Sequence, residues 1–236
     1  MRHWLKRAGS GLLALLLAVQ LLPGSVLAVS SFEGTASGTE LFKGEADEPR
    51  LFVSETAYPL APGVTEYVTY TNESSGLNQN IDFFCEIDLD QAEIMAGYAN
   101  LEGILTDQEI TWRMQTVSDQ AKSAQSYFAR SEDYADATIV AALNADFYNM
   151  ATGEPTGALI IDGVTYHPVN GRYYFGITKD NEAVISNSAD TSNLAYAVGG
   201  STLLLKDGQV QPATGGRNVT YSAIGIKADG TVVSMV

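Results

Sequence analysis

The chain has 236 residues, of which 28 are acidic and 13 basic, for a formal charge of −15. That balance repels nucleic acid and anionic lipid, so neither is an expected partner. Cys85 is the single cysteine, which excludes an intramolecular disulfide and leaves the fold to its apolar core.

In chain order, Arg2, Lys6 and Arg7 precede an apolar run at 12–22, which Pro23 and Gly24 break. Small residues up to Ala28 offer a cleavage point, so 1–28 reads as a secretory signal peptide. The run is shorter than the roughly 20 residues of a membrane helix. Cleavage removes three of the 13 positive charges and none of the 28 negative ones, leaving −18. The mature chain suffices for one large domain. A secreted, envelope-associated location is expected.

Residues 29–60 mix Gly, Ser, Glu and Thr with few apolar side chains and read as an N-terminal arm or linker. The folded domain is expected at 61–236. Residues 64–70 are rich in Val, Thr and Tyr and read as a strand. A polar turn at 71–80 follows, then an alternating strand at 81–89 that puts Cys85 on its apolar face as a buried thiol. Val117, Ala121, Ala124 and Phe128 recur at helical spacing, predicting a helix over 118–130 capped by Thr116 or Ser118. Residues 137–143 (ATIVAAL) read as a buried strand.

Three hairpins complete the chain, each turning at Asp-Gly: 158–167 about Asp162-Gly163, 201–210 about Asp207-Gly208, and 222–236 about Asp229-Gly230. The pattern predicts an α+β domain with a mixed, largely antiparallel sheet and packed helices. The last apolar strand reads as unpaired, so the C-terminal part of the domain is expected to be missing.

His3 and His167 cannot form a metal cluster, and His167 reads as a solvated loop residue. Asp88 and Asp90 mimic the start of a calcium loop, but Glu93 stands where such a loop needs glycine. No metal or cofactor is expected. The chain has no G-x-S-x-G elbow, no phosphate-cradling G-x-x-x-x-G-K and no paired C-x-x-C.

Three segments remain. Asn144 and Asp146 crowd beside Phe147 and Tyr148, directly after an apolar run. Gly199 and Gly200 precede another apolar stretch and would let a ligand approach the backbone. Arg217 lies upstream of Ala223-Ile224-Gly225-Ile226 and would grip a phosphate through forked hydrogen bonds.

Taken in order, the chain resembles the phosphodiester glycosidase family of N-acetylglucosamine-1-phosphodiester α-N-acetylglucosaminidase, whose bacterial members are often exopolysaccharide-related. The resemblance runs from Ala61-Pro62-Gly63-Val64 through Glu86-Ile87-Asp88-Leu89 and is sharpest at 142–148 (ALNADFY). It continues through Gly153-x-Pro155-x-Gly157, Gly199-Gly200-x-x-Leu203-Leu204-x-x-Asp207-Gly208 and Ala223-Ile224-Gly225-Ile226-x-x-Asp229-Gly230. Two departures stand out. Many members carry an arginine where this chain has Tyr221, and Arg217 is its candidate substitute. Members also continue into a helix and a glycine-rich Asp-Gly-Gly segment.

The resemblance implies a hydrolase that splits a sugar-1-phosphodiester into sugar and phosphomonoester, with a glycan or sugar phosphate as partner. Asp146 would act as base or as stabiliser of an oxocarbenium-like transition state. Asn144 would bond the sugar or orient Asp146, and Phe147 or Tyr148 would pack on the sugar face. Gly199 and Gly200 would admit the ligand, and Arg217 and Tyr221 would line the phosphate side. The blander alternatives are that Asn144 and Asp146 only cap loop amides, or that the protein is a catalytically inactive glycan-binding relative.

Overall fold

A computed structural model of the protein describes residues 50–73, 79–212 and 222–236, with the short strands Leu12–Leu13 (β1) and Glu40–Phe42 (β2). Arg217 and Tyr221 lie outside the described residues.

Two antiparallel sheets dominate, and β1 with Ala92–Glu93 (β6) forms the one parallel pair among the described strands. The expected largely antiparallel α+β pattern broadly fits, but it is dominated by sheet, and helices are few among the described residues. The larger sheet grows from a meander of Arg50–Ala61 (β3), Val64–Glu73 (β4) and Gln79–Ile87 (β5). Residues 50–60, which composition assigns to the linker, belong to the 12-residue strand Arg50–Ala61. Pro62-Gly63 folds β3 directly back onto β4, with Gly63 at φ 74°, and that pairing satisfies the β3 backbone. The expected turn at 71–80 is narrower, because both strands extend into it.

Ala223–Ile226 (β14) and Val232–Met235 (β15) complete this sheet from the far end of the chain. The last strand is not unpaired: Val232 faces Ile87 of β5 on one side and Ile226 of β14 on the other. The turn at 227–231 is longer than a two-residue hairpin, with the Lys227 amide donating to Thr231 and Gly230 at φ 90°.

The smaller sheet has five strands: Leu159–Ile161 (β7), Val164–His167 (β8), Tyr174–Thr178 (β9), Ala183–Ser186 (β10) and Leu194–Gly199 (β11). Its order is β10-β9-β11-β7-β8. Asp162 and Gly163 turn β7 into β8 with φ of 51° and 74°, the paired left-handed geometry that Asp-Gly favours. Leu205–Lys206 (β12) and Gln209–Val210 (β13) turn in the same way at Asp207-Gly208, a shorter hairpin than 201–210. His167 is a strand residue facing Leu159, not a loop residue, because the hairpin runs on to that pair.

Strand alternation explains the core. Phe175, Ile177, Tyr196, Val198, Leu159 and Ile161 share one face of the smaller sheet by register. Half of that face meets Val64, Cys85, Ile87 and Val232 of the larger sheet. The other half meets two helices, Leu101–Asp107 (α1) and Val117–Phe128 (α2). Helix α2 falls where its spacing places it: Ala121, Ala124 and Phe128 are buried, and the Thr116 hydroxyl accepts from the Asp119 amide at 3.2 Å. No helix among the described residues is long and apolar enough to cross a membrane.

One expected element fails. Residues 137–143 run extended without forming a regular strand, and Ala141 alone of them is buried. Beyond single bridges at Ile139 and Ala142, a side chain holds part of their backbone. Gln125 of α2 donates to the Ala137 carbonyl at 3.1 Å and accepts from the Ile139 amide at 2.7 Å. The segment is a packed bridge from α2 to the site.

Glu66 faces Cys85 across the larger sheet. Burial pushes the Glu66 carboxyl above its ordinary value, and its Oε1 is buried without a hydrogen-bond partner. Burial, and then the charge of Glu66, push the Cys85 thiol up to about 11. A carboxyl with a raised folded-state pKa favours its neutral form, so its contribution is intact below 4.5 and is lost as pH rises through the folded value. Glu66→Gln is therefore expected to raise the melting temperature at neutral pH relative to wild type, with the difference shrinking under acid; thermal melts across pH check this.

Candidate active site

Asp146 sits at one edge of the smaller sheet, where β7 begins, β11 ends and β9 begins. Two glycines make room for it. A Cβ on Gly199 would lie 2.6 Å from Asp146 Oδ2 and 2.7 Å from the Gly157 Cα, and one on Gly157 would lie 2.8 Å from the same oxygen. The carboxylate thus occupies a gap that any larger residue would close. Gly199 makes room for Asp146. Gly200 continues the sheet edge, its amide donating to the Tyr173 carbonyl at 2.8 Å.

The carboxylate is well bonded. Oδ1 accepts from the Phe147 amide at 2.8 Å and Oδ2 accepts from the Gly157 amide. The Thr156 hydroxyl lies 3.2 and 3.3 Å from the two oxygens and 2.9 Å from the Phe147 carbonyl, all acceptors for its single proton. Arg172 Nη2 stands 3.3 Å from Oδ1. The Asp146 side chain is 6% exposed and that of Arg172 30%. A buried carboxylate is tolerated only with this density of donors.

Arg172 precedes β9 and is fixed on three sides. Its Nε donates to the Gly200 carbonyl at 3.2 Å, its Nη1 to Thr156 Oγ1 at 2.6 Å, and its Nη2 faces Asp146. Its guanidinium carbon lies 6.0 Å from the centre of the Phe147 ring, within cation–π range.

Phe147 and Tyr148 begin a small hairpin. The Thr156 amide donates to the Phe147 carbonyl at 2.8 Å, the Asn149 amide donates to the Glu154 carbonyl at 2.8 Å, and Tyr148 bridges Pro155. Alternation then puts Phe147 on the face of Thr156 and Arg172, and Tyr148 on the opposite face. Both rings are exposed, at 59% and 47%. The choice between them at the site therefore falls on Phe147.

The hairpin tip is pinned from outside. Gly153, at φ 83°, packs on the Arg113 backbone. The Tyr98 hydroxyl lies 2.6 Å from the Arg113 carbonyl and 2.7 Å from the Gly153 carbonyl, and accepts from the Arg113 amide at 3.0 Å. Asn144 turns elsewhere: its Oδ1 accepts from the Ser222 hydroxyl at 2.9 Å, which ties it to the start of β14.

The structure thus groups Asp146, Phe147, Gly199 and Gly200, and sets Asn144 and Tyr148 apart. Arg172 and Thr156 escape the sequence reading. The available signal for Arg172 is a lone cation between Gly171 and a largely apolar stretch that forms a fully buried strand. Asp88, the calcium-loop candidate, caps its own turn by accepting from the Asp90 amide at 3.0 Å and from Gln91 at 2.5 Å. No metal-binding group of His, Cys, Asp and Glu occurs among the described residues.

Residues 137–236 match the family model for phosphodiester glycosidase. The matched stretch holds Asp146, Arg172, the smaller sheet and β14–β15, and is shorter than the 61–236 span over which sequence motifs suggest the resemblance. No curated protein matches the chain.

Two substitutions test the construction. Gly199→Ala is expected to cost about 1–3 kcal/mol through overpacking, measured by denaturant unfolding. Tyr98→Phe keeps the ring on Trp112 but releases the hairpin tip, and should cost about 1 kcal/mol while raising exchange rates of the Asn149 and Gly153 amides; hydrogen exchange reads the second effect.

Proposed function

We propose that the protein hydrolyses a sugar-1-phosphodiester of the N-acetylglucosamine-1-phosphodiester kind, in envelope or extracellular polysaccharide, as a secreted enzyme. The single observation that carries this is an oriented arginine beside a buried carboxylate, inside the stretch that matches the glycosidase family.

The chemistry follows from the geometry. The bond to break joins the sugar carbon to a phosphate oxygen, and positive charge grows on the sugar as it breaks. Water supplies its oxygen to that carbon and its proton ends on the released phosphate. A phosphate ester leaves well, so the main demand is to hold its charge where it develops. Arg172 meets that demand, and Phe147 offers the flat apolar surface on which a sugar ring packs. Asp146, buried and fully bonded, orients the guanidinium, and its negative charge lies near the site of oxocarbenium development.

A second reading keeps the site but not the turnover. The 6% exposure of Asp146 would suit a glycan-binding relative that uses the carboxylate only as an anchor.

Release of reducing sugar from a methyl diester of N-acetylglucosamine-1-phosphate separates these readings. Arg172→Ala is expected to lower kcat/KM by about 100-fold or more, with Arg172→Lys between it and wild type. Asp146→Asn should lower kcat while the fold survives, as checked by circular dichroism. Saturable binding without sugar release would select the binding protein. Full activity in Arg172→Ala would end both readings of this site.

A further inference from the structure

We propose that the Arg172 site carries a charge ceiling: it accepts a singly charged phosphodiester and rejects the doubly charged phosphomonoester that hydrolysis leaves behind. The inference rests on the preceding reading of Arg172 as the phosphate ligand.

The first support is how the donors are engaged. A guanidinium has five N–H groups. Gly200 and Thr156 take one each, and the Nη2 edge is turned toward the Asp146 carboxylate at 3.3 Å. A phosphate oxygen that reaches the remaining N–H groups therefore shares them with a fixed negative charge.

The second support is charge. Asp146 already neutralises Arg172, so the pair presents little net positive charge to a ligand. Asp146 cannot swing away, because the Phe147 and Gly157 amides hold its two oxygens. Buried at 6% exposure, it is also poorly screened by salt. The other cation–carboxylate pairs among the described residues, Arg130–Glu102 and Lys227–Glu86, belong to the helices and the larger sheet. The chain as a whole, at −15, deepens the repulsion.

A phosphodiester carries one negative charge at any ordinary pH. A phosphomonoester gains its second charge as pH passes its second pKa, about 6. The site would therefore hold substrate and expel product by charge alone, with no moving part. Product would linger only in acid.

The test uses the full chain and two small probes of nearly equal size, dimethyl phosphate and methyl phosphate. Their binding is followed by phosphorus NMR line broadening, or as inhibition of turnover, across pH. Dimethyl phosphate should bind with little change between about pH 5 and about pH 8, while methyl phosphate weakens by about tenfold or more over that range. Asp146→Asn, which removes the fixed charge and keeps the shape, should restore methyl phosphate binding at the higher pH. Equal binding of the two probes at about pH 8 by the wild type would overturn the ceiling while leaving the phosphate site standing. Unchanged binding of both probes by Arg172→Ala would overturn the ceiling and the preceding reading together.

Discussion

The architecture of the site depends on one constraint: a carboxylate lodged in the backbone gap between Gly157 and Gly199. Gly157 lies two residues before β7 and Gly199 ends β11, which are neighbours in an antiparallel sheet, so their main chains approach closely wherever side chains permit. Removing both Cβ atoms opens a slot one carboxylate wide. Asp146 fills it, and Arg172, Thr156 and the 147–156 hairpin are all oriented by what Asp146 accepts.

Burying that charge is costly, and the arrangement is not the cheapest way to fill a sheet edge. Apolar replacement of a buried ion pair is often neutral or stabilising. What the carboxylate provides is a guanidinium held by an ion pair and two hydrogen bonds at once, with little rotamer freedom left to lose when a ligand arrives. Phe147 gains a fixed place over the same group. Rigidity here comes from strand ends and a pinned hairpin, a firmer base than a free loop.

Much of the fold was legible in the sequence where a signal is local. Helix α2 announces itself by Ala121, Ala124 and Phe128, and the turns by Asp162-Gly163 and Asp207-Gly208. Helix α1 does not, because it is short and contains Gly103. Residues 137–143 mislead, since an apolar run looks the same whether it pairs along a strand or, as here, makes single bridges and bonds Gln125 through Ala137 and Ile139. Strand β3, with Leu51, Phe52, Val53 and Tyr58, is obscured by the polar stretch before it and is fixed by β4. At the site, composition singles out Asp146, but its partners are distant in sequence and meet only through the order β9-β11-β7. Arg172 is therefore invisible until the sheet is known, and the glycines reveal their purpose only once the carboxylate between them is seen.

The place of β15 in the larger sheet has a consequence for how the protein is made. This strand pairs with β5, which leaves the ribosome well over a hundred residues earlier, as the partnership of Ile87 with Val232 shows. Throughout synthesis of the intervening chain, the β3–β4–β5 meander has one open edge, while the smaller sheet can close from strands that emerge close together. The larger sheet is thus the slow, non-local partner. Its waiting edge, lined by Phe83, Cys85 and Ile87, is where a nascent chain would most easily pair with the wrong strand.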